Sequence, residues 1–557
     1  MTQPVLIVGA GPVGLTAALA LAQQGVAFRI IDRLPQRINQ SRAAAVHART
    51  CELFERLGVI DQFLGVGVKV HGMHVMDQTG KTLLRNSLDG LPTAYNFYLG
   101  IGQDETERLL TEEVARHGVS VERSVTLTAL SQTPDTVTAT LMHSDGREER
   151  FTTPYLVGCD GSKSVVRHRL GLDLEGETLD AYWVTADVRV DWPYPVDEGV
   201  AIPTPEGFVV ATPLPHGRWR LVVNMGEKPA ELPKEVSLEE VEEACDRVGV
   251  HVKLSDPTWI SPFAINTRLV PTMQVGRVFL AGDASHVHSP VGGQGMNTGI
   301  QDAINLAWKL ALIIKGWGTE ALLDSYNAER HANAKRVLGF VGPATRMADL
   351  RLPVATRVRR LAMMSVGHLG LTALAAQRIS EIDIHYRHSP VVGEHHRGSG
   401  EWLKGRIQHD PHPRLYDCWD FGKGPHPGER APDAHGLTDG SQEPRRLHQD
   451  WVGDHRHQLL VFTGRQPTTE RVRHLAELAA QTEVESGGLI RPRVVRPADV
   501  PGPDGGLVDQ QGEAHHAYGA RYECLYLVRP DGYVGFRSQP AETGPLREYL
   551  PQILTGM

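Results

Sequence analysis

The sequence predicts an α/β protein in which an antiparallel β-sheet region is inserted into a domain built on a βαβ unit, with a separate C-terminal domain. Three observations carry this. The chain opens with an apolar strand, a GxGxxG turn, a helix and a second strand that ends in an acid. Two further glycine-rich turns follow apolar strands, at Gly158 and Gly282. The length of 557 residues exceeds what one hydrophobic core organises, so two or three domains are expected.

The opening unit is complete. Val5-Leu6-Ile7-Val8 is a compact apolar strand, and Gly9-Ala10-Gly11-Pro12-Val13-Gly14 follows directly. Leu15 to Gln24 reads as an Ala/Leu-rich helix closed by Gly25. Phe28 to Ile31 is the second strand, ending in Asp32 and followed by Arg33. Gly9 permits a tight turn, Gly11 lets backbone approach a pyrophosphate, and Gly14 allows close helix–strand packing. Asp32 is placed to accept hydrogen bonds from a ribose. This unit binds a dinucleotide but does not separate FAD from NAD.

The second special turn is Leu156-Val157-Gly158-Cys159-Asp160-Gly161-Ser162-Lys163-Ser164-Val165-Val166-Arg167. The third is the stretch Gly276 to Asn305: a short strand, Gly282-Asp283, a Gly-rich turn and a helix. Such a turn offers backbone N–H groups at a helix N-terminus to an anionic ligand edge.

Composition narrows the class. A net charge of −9 excludes a nucleic-acid footprint, which needs a basic surface. Cys51, Cys159, Cys245, Cys418 and Cys524 are scattered and form no CxxC pair, which points to a reducing, cytoplasmic setting. A strand begins almost at the N-terminus, leaving no room for a signal peptide. The longest apolar run, Leu361 to Ala376, contains His368 and falls short of the roughly 20 residues of a spanning helix. It reads as a packing or dimer helix, with an interfacial membrane helix flanked by Arg357, Arg359 and Arg360 as the alternative.

Together the three turns resemble the FAD-dependent aromatic hydroxylases, the single-component flavoprotein monooxygenases that include phenol hydroxylase and hydroxybenzoate hydroxylase. The family's DG motif is matched at Asp160, Gly161, Ser164 and Arg167, and its GD motif at Gly282 and Asp283. Pro290, Gly293-Gln294-Gly295 and Asn297 match the stretch that follows. Ser41-Arg42-Ala43 through His47-Ala48-Arg49-Thr50 resembles its arginine-bearing segment, and Ile101-Gly102-Gln103 its glutamine site. The resemblance covers about residues 4 to 345.

The resemblance implies a Rossmann-like FAD-binding domain at 1–173 and 271–345, with an inserted substrate domain at 174–270. Gly9, Gly11, Pro12 and Gly14 would hold the FAD pyrophosphate, with Asp32 and Arg33 toward the adenosine. Arg42 and Gln103 would contact the phosphate and ribityl region, and Gly282 and Asp283 the ribityl chain. Gly293, Gly295, Met296 and Asn297 would lie at the flavin N1–C2=O edge, where a helix N-terminus stabilises the charge of reduced flavin. Asp160 and Arg167 belong to a motif linked to both FAD and NAD(P)H. NADPH or NADH would visit transiently, since no second dinucleotide fold is visible.

The implied chemistry is hydroxylation of a phenolic ring by a flavin C4a-hydroperoxide formed from O2. The protein must exclude water and place the ring carbon. Pro290 would touch substrate and flavin. Phenol hydroxylases carry an activating acid where this chain has Ala44, so the substrate-activating base is unidentified. His47 is a nearby candidate; the plainer reading is a histidine bonded to local backbone.

In 174–270, Tyr182 to Val190, Gly207 to Thr212 and Arg218 to Asn224 read as strands of a sheet over the flavin. Arg218-Trp219-Arg220 alternates, so one arginine faces the pocket and suits a carboxylated or phenolate substrate, or both are solvent-facing beside a core Trp. Trp183 and Trp192 read as packing. Gly299 to Lys315 and Leu322 to Leu338 read as helices, 346–388 as a helical segment and 389–427 as a linker. His385, His388, His395, His396, His409 and His412 lack ligand spacing, so no metal is expected. Residues 428–557 resemble the thioredoxin-like tail of phenol hydroxylase relatives without CxxC, with a structural or dimer-forming role that leaves a homodimer open. Leu525–Val528 and Val534–Arg537 read as a hairpin.

The leading expectation is an FAD- and NAD(P)H-dependent aromatic monooxygenase acting on a small aromatic substrate and O2. One alternative is a polyketide or antibiotic tailoring oxygenase, by hydroxylation or Baeyer–Villiger insertion. The other is a non-catalytic flavin-binding protein. Fold alone does not choose between them.

Overall fold

The computed structural model describes residues 3–37, 41, 43–77, 79–204, 207–289, 292–349, 372–396, 420–439, 443–503 and 505–557. Arg42 and Pro290, most of the 361–376 apolar run, and His409 and His412 fall outside these residues. Among the described residues no helix is long and apolar enough to cross a membrane.

The N-terminal unit builds a six-stranded sheet, in the order Gln274–Val275, Val278–Leu280, Leu156–Gly158, Val5–Val8, Phe28–Asp32, Glu122–Arg123. Its four central strands are parallel; Val5–Val8, Leu156–Gly158 and Val278–Leu280 are wholly buried, which is why they read as unbroken apolar runs, while Phe28–Asp32 is buried only at Ile30 and Ile31. Register decides the function of this sheet. Val8 pairs with Gly158, and Gly158 with Leu280. The backbone ladder then continues one step, through Cys159 N–H to Val8 O at 2.7 Å and Ala281 N–H to Gly158 O at 3.0 Å. Three turns more than 100 residues apart in sequence therefore leave adjacent strands side by side at their carboxyl ends, where ligands bind in open α/β sheets.

The first helix is Pro12–Gln23 rather than Leu15–Gln24. Pro at the first position has its φ preset for a helix and lacks an N–H that would go unpaired there. The helix Gly295–Ile314 likewise starts earlier than Gly299. It is buried almost all round and crosses the first helix so closely that a Cβ on Gly299 would sit 2.6 Å from Val13 Cγ2. Gly299 is there for contact, and it does not break the helix.

A second, eight-stranded sheet carries the expected strands as Glu175–Asp191, Phe208–Leu214 and Arg218–Glu227, with Lys253–Leu269 and Glu198–Pro203. It reaches beyond 174–270, recruiting Gly72–Met76, Thr82–Ser87 and His286–Val287. The helix Leu238–Arg247, started by a Ser237/Glu240 capping box, covers one face through Val184, Ala186, Leu221 and Val223. The other face carries Trp183, Phe208, Val210, Val222 and Phe263. Pairing of Arg268 with Val287 and Leu269 with His286 ties the sheet to the third glycine-rich turn.

The C-terminal region forms a seven-stranded sheet in the order Gly393–His396, Val534–Gln539, Cys524–Val528, His457–Phe462, Ile490–Pro497, Leu507–Asp509, Leu437–Thr438. The hairpin forms as expected from its Pro-Asp-Gly turn. The stretch read as a linker from residue 389 contributes the edge strand Gly393–His396, which pairs in parallel with Phe536–Gln539.

Candidate active site

Gly9 has φ +103°, and a Cβ there would lie 2.4 Å from the Cys159 carbonyl oxygen, so the turn demands glycine. A Cβ on Gly14 would lie 2.0 Å from Gly9 O. Gly11 differs: its Cβ would meet only Glu107 Oε1 at 4.0 Å. No side chain caps the helix that begins at Pro12. Its first N–H groups thus receive no side-chain cap, as an anion site requires. Asp32 accepts the Ala10 N–H (2.8 Å) and the Leu34 N–H (2.8 Å), fixing the turn from the neighbouring strand, and its largely buried side chain lies 3.8 Å from Arg123 Nη1. Arg33 is exposed. Gln103 opens a helix whose N-terminus is bonded to Ser41 Oγ, and its amide donates to Glu107 Oε1 at 2.9 Å. Burial raises the Glu107 pKa, against the opposing bond from Gln103.

Asp160 accepts the Val165 and Val166 N–H groups with one oxygen, while Ser164 caps the same short helix at the Arg167 N–H. Burial raises the Asp160 pKa, and its second oxygen has no partner. Arg167 donates to Ala284 O (3.2 Å) and Ser162 O (2.9 Å). It locks the second turn onto the third.

Gly282 has φ +62° and donates its N–H to Asp302 Oδ2 at 3.0 Å. Asp302 also takes His286 Nε2 (2.7 Å) and Arg330 Nε (2.6 Å), all three side chains being buried. Asp283 stands exposed at the head of this braced turn. Asn297, fully buried, donates to Ala45 O and Gly293 O at 2.9 Å each and accepts the His47 N–H at 2.9 Å. Gly295 and Met296 are half-buried on the same helix end.

His47 bonds Gly292 O through Nε2 at 2.7 Å. A carbonyl only accepts, so Nε2 carries the proton and Nδ1 is a bare lone pair, buried without a partner. Burial pulls the His47 pKa down to about 4, beyond the opposing bonds to Gly292 and Gly293, so the ring is neutral at neutral pH. Edge-on to it, at 5.9 Å between ring centres, lies Tyr98. Its buried phenol points toward Thr212 of the eight-stranded sheet but makes no well-formed hydrogen bond. Burial pushes the Tyr98 pKa up. Tyr98, Asp302 and Arg330 escaped the sequence reading, because only tertiary contact brings them to the motifs.

On the sheet, Trp219 is in the helix-covered core. Arg220 lies on the other face, but is buried in a two-point ion pair with Asp187 and stacks on Trp259. Its charge is already met, so it is not an open anchor for a carboxylate. Trp183 is fully buried and Trp192 packs on Trp219. No group of three potential metal ligands occurs among the described residues.

An open helix N-terminus, an exposed Asp283, and buried polar atoms left unpaired on Asp160, His47, His288, Gln294 and Tyr98 are what a bound FAD and its aromatic partner would complete. Comparison with known proteins agrees. Residues 2–341 match the FAD binding domain family, and the chain belongs to it. It is 36% identical to 6-methylpretetramide 4-monooxygenase of Streptomyces rimosus, over 98% of this chain and 92% of that one. It is 30% identical to pentachlorophenol 4-monooxygenase of Sphingobium chlorophenolicum, over 96% and 93%. The solved complex of aklavinone-11 hydroxylase with FAD and aklavinone aligns with a TM-score of 0.75 and 26% identity, over 99% and 98%. The chain is an FAD-dependent monooxygenase of the aromatic hydroxylase class.

Proposed function

We propose that this enzyme uses NAD(P)H and O2 to add one oxygen atom to a phenolic ring held between the Gly292–Asn297 turn and the Trp183–Val210–Val222 face of the sheet. The observation that carries this is the convergence of the three turns at adjacent strand ends, with the third turn tied by strand pairing to the sheet whose apolar cluster includes Trp183, Val210 and Val222. Bound FAD supplies the electron transfer from NAD(P)H and the activation of O2. Gly11 and the helix behind it offer N–H groups to the pyrophosphate. Asp32 and Asp283 would accept from ribose and ribityl hydroxyls. The helix headed by Gly295 would present its positive end to the electron-rich flavin edge. Asn297 and His47 hold the turn in shape.

His47 serves better as a clamp than as a base. An imidazole with a pKa of about 4 takes a proton from a phenol very unfavourably. Its unpaired Nδ1 and the Tyr98 hydroxyl are among the buried polar atoms left to orient a ligand. Four buried thiols at Cys51, Cys159, Cys245 and Cys524, none in a disulfide, favour work in the reducing cytoplasm.

A fused-ring substrate, of the kind a tailoring oxygenase takes, is favoured by one feature. Half-buried apolar side chains at Leu179, Val210, Val222 and Phe263 lie on four adjacent strands. Three interstrand spacings make a platform about 14 Å wide, more than one phenol ring needs. The test is stimulation of NADH and NADPH oxidation by simple phenols against polycyclic phenols, with product mass. A gain of one oxygen atom on a polycyclic ring supports the full reading. Stimulation by single-ring phenols alone restores the simple hydroxylase, and stimulation by neither rejects both.

A further inference from the structure

The helix headed by Gly295 is braced from behind by a segment that none of the cofactor motifs contains. Gln294 Nε2 donates to Arg378 O at 2.8 Å, and Arg49 N–H donates to Ser380 O at 3.2 Å. Next in line is Glu381, 1% exposed, with φ +60°, a left-handed conformation that a glutamate adopts only when its surroundings hold it there. Its carboxyl oxygens take Thr298 Oγ1 at 2.9 Å and Gln301 Nε2, both from the first two turns of the helix. We propose that Glu381 is a positioning residue for the reduced cofactor: a carboxyl group whose proton keeps the end of this helix positive toward the flavin edge. This rests on the reading that FAD lies against that helix.

The surroundings favour the neutral acid. Burial pushes the Glu381 pKa up to about 8, beyond the opposing bond from Thr298 and the charge of Arg330. The charged neighbours on the packed helices are already committed. Arg330 is bound to Asp302 and to the Tyr386 hydroxyl, Asp302 to His286, and Arg49 to Glu52. On its own segment, Asp383 pairs with Arg336 and lies 3.8 Å from Arg378. A neutral carboxyl needs an acceptor for its O–H. Gln301 Oε1 is buried without a partner, so half a turn of the Gln301 amide supplies one. While Glu381 is protonated, the partial positive charge of the helix end, about half a unit, is left for the flavin. Once it ionises, a negative charge behind the first turns opposes the charge that reduction adds.

The test is the midpoint potential of bound FAD from neutral to alkaline pH, in the wild type, Glu381→Gln and Glu381→Gly. Glycine suits the left-handed backbone and keeps the test open if glutamine disturbs packing. The wild-type curve should bend downward at about pH 8, and both variants should lack the bend. A second readout uses the apoprotein. The folded chain holds a proton that the unfolded chain releases above the ordinary glutamate value of 4.5, so wild-type stability falls as pH rises from 4.5 to about 8. Relative to Glu381→Gln, the unfolding constant should rise by up to about tenfold per pH unit over that window and then level off. Superimposed potential curves, or parallel apoprotein stabilities, overturn the proposal. Asn297→Ala keeps this apart from the underlying reading: unchanged FAD affinity in that variant removes FAD from the helix, whatever Glu381 does.

Discussion

The turn between His286 and Asn297 and the joint between the FAD-binding helices and the C-terminal hairpin are both rich in buried polar groups, and they handle them in opposite ways. At the joint the ionic set at its centre is matched, although Arg49 Nε, His457 Nε2 and Tyr533 Oη around it are buried without partners. Arg529 binds Glu329 through both terminal nitrogens (2.7 and 2.9 Å) and also Asp531. Lys309 joins Glu329 at 2.8 Å, Asn305 and Trp308 reach Asp531, and Ser389 closes the set on Glu329. Burial pushes the Glu329 pKa up, but the Arg529 and Lys309 charges overcome it and keep the carboxylate ionised. At the turn, by contrast, His47 Nδ1, His288 Nε2, Gln294 Oε1 and Tyr98 Oη are buried without partners. A network complete by itself is a structural joint. One with polar atoms left over is shaped for something that is added.

This contrast can be broken by mutation. Arg529→Met strands Glu329 and Asp531 in the interior and should cost about 3–5 kcal/mol, read as a fall in the denaturant midpoint. If that variant were nearly as stable as wild type, the joint would not hold the C-terminal region to the FAD-binding helices. Acid should act next. His47 and His457 are buried neutral, with burial pulling their pKa values down to about 4 and about 3. The unfolded chain binds those protons near the ordinary histidine value of 6.5, so stability is complete above about pH 6.5 and is lost as pH falls toward 4. His457→Phe, which keeps a ring against Trp308, should flatten that slope in a series of melts at different pH.

Asn297→Ala removes three buried hydrogen bonds from the turn. We expect a loss of about 1–3 kcal/mol in the apoprotein and a fall of FAD affinity, by titration, larger than that loss predicts. The smallest structural effect should come from Tyr98→Phe. Deleting a hydroxyl that has no partner leaves stability within about 1 kcal/mol of wild type or raises it. Product formed per NAD(P)H consumed should nonetheless drop. An unchanged yield would show that this hydroxyl orients nothing.

The parts legible in sequence were those whose chemistry is local. Gly9, Gly11, Gly14 and Asp32 lie within one βαβ unit, so spacing alone announces them. The three turns could be found separately, but their adjacency is a matter of register, Val8 to Gly158 to Leu280. Helix starts moved because Pro12 initiates where Leu15 was expected, and because Gly299 is a contact residue. Asp302 was hidden among the other polar residues of its helix, Asn297, Thr298, Gln301, Asn305 and Lys309, so nothing in the sequence singled it out. Glu381 carried no signal, since its partners Thr298 and Gln301 lie 83 and 80 residues away. Arg220 was read as facing either a ligand pocket or solvent, whereas it is buried against Asp187 on a neighbouring strand, a match that spacing could not show.

The most direct test of the central claim is turnover of the FAD-loaded enzyme with NAD(P)H, an aromatic substrate and isotope-labelled dioxygen. A hydroxylated ring carrying one labelled oxygen atom is the predicted product. Labelled peroxide alone, with every aromatic returned unchanged, would contradict the account.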